Sequence, residues 1–301
     1  MPKMPSTTAF FGSLVTNLGP LTTTVTLPAS CATATNQLYY GNNRTLGAIS
    51  GVPTCGYTGF GDCLPSASDF DSLVSKGYET ATQGFLHYFS PGVVCPSGWT
   101  TAGTLAHAEK TGSFELSGVF TQDPYVYDVE DLPSRALPGG KAWQEVLGES
   151  ETLALCCPSG YSGHINGGCW SSLGPRQEFG YSSVCWIFYP EGVIATVNTL
   201  DGSTWDPPLI SISPVTERFM TRVEAISTTS GGTYTDDWDI LTMVPAIPLV
   251  FQATDTASVD SDDENDAEDS AASSFLPGPS PLQLLNVLAS MLAGAGLFVF
   301  W

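Results

Sequence analysis

The sequence has few basic residues. Nine Lys and Arg stand against 30 Asp and Glu, which gives a formal net charge of −21. A protein that binds nucleic acid or anionic lipid headgroups needs a positive surface, so the composition argues against both partners. Charged residues make up only 13% of the chain, well below the usual proportion of about a quarter.

Signatures of common catalytic and metal sites are also missing. The only histidines are His87, His107 and His164, and no paired-histidine or Cys-x-x-Cys spacing suggests zinc. No Gly-x-Ser-x-Gly motif marks a serine hydrolase. His164 lies between Cys157 and Cys169, where we interpret it as a loop histidine rather than as half of a thiolate–imidazole pair. The sequence therefore predicts no catalytic residue, no metal site and no cofactor.

The N-terminus shows no convincing apolar run of signal-peptide length. Residues 9–11 are apolar, but Gly12 and Ser13 interrupt them at once. Three explanations stay open: a weak secretory signal, a true start upstream of this chain, or a tail-anchored protein that faces the cytosol.

The cysteines favour an extracellular protein. Their even number predicts four disulfides formed in an oxidising compartment. Spacing alone does not give the connectivity, but a bond between the neighbours Cys156 and Cys157 would be strained, so each is expected to pair elsewhere. Asn43 begins a glycosylation sequon, which is consistent with secretion. The disulfide candidates are Cys31, Cys55, Cys63, Cys95, Cys156, Cys157, Cys169 and Cys185.

The end of the chain predicts membrane association. Residues 282–301 carry no charge, and as a helix they would be about 30 Å long, enough to cross a bilayer core. Small residues followed by a polar spacer and an apolar tail are typical of a glycosylphosphatidylinositol attachment signal. The candidates for lipid attachment are Ser270, Ala271, Ala272 and Ser273. A retained transmembrane helix is the alternative, although no Lys or Arg flanks it.

Composition divides the chain into four parts. Residues 255–269 hold eight acids and no base, which predicts a disordered, self-repelling stalk. The predicted parts are an extended Thr-rich leader (1–30), a cysteine-rich β-rich ectodomain (31–252), the acidic stalk (253–281) and a hydrophobic C-terminal segment (282–301).

Short apolar runs between turn residues predict a mainly β fold. Their spacing of about ten residues is typical of a sandwich or barrel. The runs are 85–89, 113–121, 152–157, 184–189, 193–197, 209–212, 219–226 and 243–251. Helices are predicted only at 69–82, with Ser68 as N-cap, and around 141–147. We expect a disulfide-stapled, sandwich-like or barrel-like domain with an irregular N-terminal part and one C-terminal hydrophobic helix.

One short motif occurs twice. Cys95-Pro-Ser-Gly-Trp99 recurs as Cys157-Pro-Ser-Gly-Tyr161, and each copy follows an apolar run. The motif predicts a tight turn in which Gly supplies the open backbone angle and the aromatic residue covers a disulfide. A pair of aromatic rings that bind a ligand is the alternative interpretation.

Three longer patterns carry a family resemblance. They are Phe11-Gly…Thr16-Asn-Leu-Gly-Pro-Leu-Thr-Thr-Thr, Tyr88-Phe-Ser-Pro-Gly-Val-Val-Cys-Pro-Ser-Gly-Trp-Thr and Cys156-Cys-Pro-Ser-Gly-Tyr…Gly167-Gly-Cys-Trp. Together they resemble a family of filamentous-fungal, cysteine-rich cell-surface proteins. The resemblance covers roughly residues 8–255 and implies an extracellular domain, a low-complexity stalk and a C-terminal apolar segment. It implies no activity, substrate or catalytic residue.

Acids beside aromatic residues are the best candidates for carbohydrate chemistry, because glycosidases act with paired carboxylates. Such patches occur at 236–239, at 127–131 and at Trp205-Asp206. Exposed turn acids are the simpler interpretation. We expect a membrane-associated protein on the extracellular face of the cell, structural or adhesive and without enzymatic activity. The alternative is a surface protein that binds or modifies carbohydrate, with cell-wall polysaccharide as its partner.

Overall fold

The computed structural model describes most of the chain before residue 258. The described residues are 6–11, 13–33, 37–41, 49–55, 59–80, 85–107, 113–122, 135–165, 167–188, 193–200, 202–213, 220–226 and 238–257. All of them lie within one compact unit, Met1–Ser261. The predicted stalk beyond residue 257 and the predicted hydrophobic segment at 282–301 lie outside the described residues.

Strands dominate the described chain. In chain order they are β1 (Ser6–Phe10), β2 (Ser13–Asn17), β3 (Leu38–Gly41), β4 (Ile49–Gly51), β5 (Phe85–Tyr88), β6 (Trp99–His107), β7 (Phe114–Leu116), β8 (Arg135–Ala136), β9 (Glu151–Pro158), β10 (Ser162–Gly163), β11 (Gly168–Pro175), β12 (Ser183–Phe188), β13 (Val193–Leu200), β14 (Ser203–Ser213), β15 (Met220–Ala225), β16 (Asp239–Pro245) and β17 (Ile247–Gln252). The helices are α1 (Ala67–Thr80), α2 (Gly139–Val146) and α3 (Ala253–Ala257). Short 3₁₀ helices occupy Ala29–Thr33, Gly61–Cys63, Gly118–Thr121 and Arg176–Phe179.

The described strands form five open sheets. Their orders are β1-β2-β5, β10-β11-β16-β3-β4, β12-β15, β13-β14-β8 and β17-β9-β6-β7. Neighbouring strands are antiparallel except in the parallel pairs β2–β5 and β14–β8. The predicted mainly β, disulfide-linked fold is confirmed. The barrel-like alternative is wrong for this part of the chain, because its sheets do not close.

Strand β9 lies at the centre of the four-stranded sheet, between β17 and β6. Its residues from Leu153 to the end of the strand are all buried, so both faces of the strand are covered. A nearly continuous apolar run in the sequence is what such a strand requires. The main core surrounds it and comprises Leu18, Leu21, Phe60, Leu64, Phe70, Leu73, Val74, Phe89, Leu105, Val119, Phe120, Trp143, Leu147, Leu153, Leu155, Cys156, Cys157, Ile165, Cys169, Val244, Ala246, Ile247, Leu249 and Val250.

The region predicted as a leader, residues 1–30, includes part of this fold. Leu18 and Leu21 are buried in the main core, and Val25 packs against it. The Ser97 amide donates to the Val25 carbonyl at 2.9 Å. The folded unit therefore begins well before Cys31, where the sequence placed its boundary.

Helix α1 confirms the prediction at 69–82 but begins earlier. Ser66 precedes the helix, and its carbonyl accepts from the amides of Asp69 and Phe70 at 3.0 and 3.1 Å. Ser68 therefore lies inside the helix and is not its N-cap. The buried residues Phe70, Leu73 and Val74 recur at helical spacing and face the main core.

Other element predictions hold in part. The predicted helix around 141–147 is α2, and 85–89 and 152–157 are largely β5 and β9. The run 113–121 is the short strand β7 followed by a 3₁₀ helix rather than one strand. The run 243–251 divides at Ala246 into β16 and β17, which belong to different sheets. Helix α3 occupies the first five residues assigned to the acidic stalk.

Candidate functional site

All eight cysteines form disulfides, as predicted, and none is free. Cys156 and Cys157 pair with different partners, as their adjacency required. The bonds are Cys31–Cys63, Cys55–Cys185, Cys95–Cys156 and Cys157–Cys169.

The adjacent cysteines link β9 to two different parts of the fold. Successive residues of a strand project to opposite faces of the sheet. Cys156 therefore bonds to Cys95, before β6, whereas Cys157 bonds to Cys169 in β11 of the five-stranded sheet. Strand β9, at the centre of the main core, is therefore covalently bonded to other parts of the fold from both of its faces.

The repeated motif forms two turns that contact each other. The Trp99 amide donates to the Pro96 carbonyl and the Tyr161 amide to the Pro158 carbonyl, each at 3.0 Å. The glycine of each turn has positive φ, 79° at Gly98 and 87° at the equivalent position of the second copy, a conformation that favours glycine. This confirms the predicted turn geometry.

A serine of the second turn joins it to the first. Both the amide and the hydroxyl of Ser159 donate to the Gly98 carbonyl, at 3.0 and 2.9 Å. Trp99 and Tyr161 are half-buried and pack against the main core. Burial raises the pKa of Tyr161, and a hydrogen bond from the Thr242 side chain opposes that shift. This packing favours the structural interpretation of the motif over a pair of rings that bind a ligand.

The three histidines occupy separate places. His87 is buried, and its Nε2 lies 3.2 Å from the Ala246 carbonyl oxygen. Burial lowers the pKa of His87 to about 4, although that hydrogen bond acts the other way. His107 Nε2 lies 3.3 Å from the Leu147 carbonyl oxygen. Burial also lowers the pKa of His164. Within the described ranges no three metal-ligating side chains come together.

The acid–aromatic patches are only partly described. Residues 127–131, 236 and 237 lie outside the described residues. The Trp238 ring stacks on Tyr40, with 5.2 Å between centroids, and Asp239 Oδ2 accepts from Ser172 Oγ at 3.2 Å. Asp206 is exposed. Trp238 therefore acts in packing and Asp239 in hydrogen bonding, and Asp206 faces solvent.

A buried cation that the sequence analysis did not single out, Arg176, lies beside a second core. This second core comprises Tyr40, Val184 and Ile240. Tyr40 donates from its hydroxyl to the Ser183 carbonyl at 2.8 Å. Burial raises the pKa of Tyr40, and the Arg176 guanidinium partly opposes this.

Arg176 is itself buried and bonds to the aromatic residues around the second core. Its Nη1 donates to the Tyr181 carbonyl at 3.3 Å, and its amide donates to the Trp238 carbonyl at 2.9 Å. The sequence signal that could have indicated Arg176 is its position as a basic residue directly after Gly174-Pro175 in a strongly acidic chain.

The predicted membrane and glycan sites lie outside the described residues. These are Asn43, Ser270, Ala271, Ala272 and Ser273. Among the helices that the structure describes, none has the length and apolarity to cross a bilayer.

The chain matches no model of a known protein family, no curated protein and no solved structure. The best-defined features are the disulfides around β9 and the two hydrogen-bonded turns. Both restrain the backbone in a fixed conformation.

Proposed function

We propose that this chain is a membrane-associated cell-surface protein with a structural or adhesive role and no enzymatic activity. Complete pairing of the eight cysteines is the observation that carries this proposal. Disulfides of this number persist in oxidising compartments and are rare in the cytosol. The proposal therefore favours the secretory explanations of the N-terminus over a tail-anchored protein facing the cytosol.

The resemblance to fungal cysteine-rich surface proteins and the composition of the tail support the same location. Small residues at 270–273, a spacer and an uncharged terminal segment follow the folded unit. A lipid anchor attached at that cluster is the form of membrane association we propose. The acidic composition of 255–269 suits a spacer between membrane and domain.

Two tryptophan side chains interact with other residues of the chain, which supports a structural role over carbohydrate binding. Trp238 stacks on Tyr40, and Trp186 Nε1 donates to Glu224 Oε2 at 3.0 Å. Sugar-binding sites instead present such rings to a ligand. Replacing Asp239 with Asn should leave any retention on cell-wall polysaccharide unchanged; loss of retention with an unaltered melting curve would favour the carbohydrate alternative.

Mass spectrometry of the mature protein from its native cell tests the proposal. We expect four intact disulfides and a new C-terminus within 270–274 that carries a glycolipid. If the membrane-bound, oxidised protein still ends at Trp301, a retained helix rather than a lipid anchor attaches it to the membrane. Reduced cysteines in a cytosolic protein would refute the cell-surface location itself.

A matched pair of variants localises the anchor site. Ala272→Trp enlarges a residue within the small-residue cluster, and Ala267→Trp makes the same change in the acidic segment upstream. Because the transamidase site accepts only small residues, the first change should abolish surface display and the second should not. Equal display of both variants would contradict attachment at Ser270, Ala271 or Ala272, because residue 272 lies within the required small-residue window of each.

A further inference from the structure

Within the described chain, one edge of strand β15 has no partner strand. It pairs only with β12 in its two-stranded sheet, and Cys185 faces Val223 in that register. Cys185 exchanges both of its backbone hydrogen bonds with Val52 on the other side of β12, at 2.8 and 3.3 Å. Since bonding alternates along antiparallel strands, the backbone groups of Val223 point away from β12.

The same alternation applies along the strand. The Ile226 amide donates to the Ser182 carbonyl at 2.8 Å, so Ile226 faces β12 and its odd-numbered neighbours face outward. No hydrogen bond within the described chain reaches the outward backbone groups of Thr221, Val223 or Ala225. These groups form a ready template for another strand.

Side chains on this strand are exposed on both faces. Val223 is 63% exposed, and Met220, which projects to the opposite face, is 69% exposed. A long exposed edge with apolar side chains is a surface that proteins normally cover or blunt. A partner strand would cover it.

We infer that β15 pairs with the β15 strand of a second copy of this chain, antiparallel and centred on Val223. The twofold axis then places Val223 opposite its counterpart and Thr221 opposite Ala225 of the second copy. The outward groups at these positions would form about six backbone hydrogen bonds. Such a self-complementary contact closes as a dimer.

The charged side chains of β15 favour this register over the two neighbouring ones. Centring on Val223 places Arg222 of each copy opposite Glu224 of the other, at positions without ladder bonds, where side chains come closest. Centring one residue earlier would oppose Arg222 to itself, and centring one residue later would oppose Glu224 to itself. Within the chain, Arg222 Nη2 already lies 2.8 Å from Glu224 Oε1, so pairing creates a ring of alternating charges.

The neighbouring contacts support the same arrangement. Trp186 Nε1 donates to Glu224 Oε2 at 3.0 Å and orients that carboxylate on the strand. In the proposed register Met220 lies opposite Ile226 of the second copy, so an apolar pair flanks the charges on each side. Because one strand edge is much smaller than the roughly 1,200–2,000 Å² of a stable interface, the dimer should be weak and concentration-dependent.

Sedimentation velocity of the full oxidised chain tests the inference. We expect a reversible monomer–dimer equilibrium. Val223→Lys should weaken dimerisation by at least about tenfold, because two like charges would meet on the axis. Leu116→Lys is the matched control: Leu116 is 43% exposed on the edge strand β7, and its change should leave the equilibrium unaltered.

Two charge variants test the register itself. Arg222→Glu and Glu224→Arg should each abolish self-association, because like charges would then meet twice. Mixing the two variants restores both opposite-charge pairs, so the mixture should form a heterodimer. Unchanged melting curves would show that each variant remains folded.

Amide exchange gives an independent readout. Dimerisation should protect the amides of Thr221, Val223 and Ala225, for which the described chain supplies no hydrogen-bond partner. A chain that stays monomeric at every concentration would overturn the inference. So would a dimer insensitive to Val223→Lys, an open polymer, or a mixture of charge variants that does not associate.

Discussion

Strands β9 and β15 differ in what holds them. Residues of β9 from Leu153 onward are buried on both faces, and strands flank it on both edges. Five of the six residues of β15 are exposed, and among the described strands only β12 pairs with it. The first strand is stabilised by apolar burial. The second depends on a neighbour that a disulfide attaches to the rest of the fold.

This comparison shows where the covalent bonds matter most. The bridge at β12 joins Cys55 to Cys185, 130 residues apart, whereas the bridge between β9 and β11 spans 12 residues. In the chain-entropy description a disulfide stabilises by restricting the unfolded chain, and the effect grows with the enclosed loop. The thinly packed region therefore has the bond with the greater entropic effect.

Removing the longer bridge should have the largest effect. Cys55→Ala with Cys185→Ala is expected to lower the free energy of unfolding by about 4–5 kcal/mol, and Cys157→Ala with Cys169→Ala by about 3 kcal/mol. Denaturant unfolding of both double variants measures the difference. A larger loss for the short bridge would show that local packing outweighs loop entropy here.

Truncation in β9 should cost nearly as much. Leu155→Ala removes a fully buried side chain and should lower the free energy of unfolding by about 2–5 kcal/mol. Val223→Ala in β15 is the control and should stay within about 0.5 kcal/mol, because that side chain is exposed. Similar losses at the two positions, measured by denaturant unfolding, would contradict the contrast between the strands.

Acid should weaken the main core through His87. Its pKa is about 4 in the folded state and about 6.5 when unfolded. Between these values the unfolded chain binds more protons, so stability falls as pH drops through this window, by about 3 kcal/mol in all. His87→Gln, which keeps a donor near Ala246, should lose that part of the dependence. Denaturant unfolding at pH 7 and pH 4 measures this for the unmodified protein and for His87→Gln. If the difference between their free energies of unfolding is the same at both pH values, His87 does not cause the acid sensitivity.

Loss of one hydroxyl in the second core should have the smallest effect. Tyr40→Phe removes the hydrogen bond to the Ser183 carbonyl, which joins the five-stranded sheet to β12. We expect a loss of about 1 kcal/mol. Tyr88→Phe is the control, because no hydrogen bond of its hydroxyl is present within the described chain. Thermal unfolding compares the two variants. A lower melting temperature for Tyr88→Phe than for Tyr40→Phe would argue against a stabilising role for the Tyr40 hydrogen bond.

Local features of the fold were predictable from the sequence. The helical spacing of Phe70, Leu73 and Val74 indicated α1, and the apolar run at 152–157 indicated β9. The repeated Pro-Ser-Gly motif indicated both turns. In each case a short stretch of chain contains its own signal, because backbone preference and periodicity act over a few residues.

Long-range features were not predictable. Tyr39 pairs with Leu241, and nothing in either strand specifies a partner so distant in sequence. The disulfide connectivity is equally non-local. The contact between the two turns depends on how β6 and β9 pair, which brings Ser159 to Gly98. Ala246 divides an apolar run that periodicity alone reads as one strand.

Two of the disulfides overlap in sequence, with a mechanical consequence. Cys55 lies between Cys31 and Cys63, and it is bonded to Cys185. Tension applied before Cys31 and after Cys185 therefore passes through Cys63 and Cys55 and never loads residues 64–184. Stretching cannot unravel that segment while both bonds are intact, so a reductant, rather than force, would have to release its length.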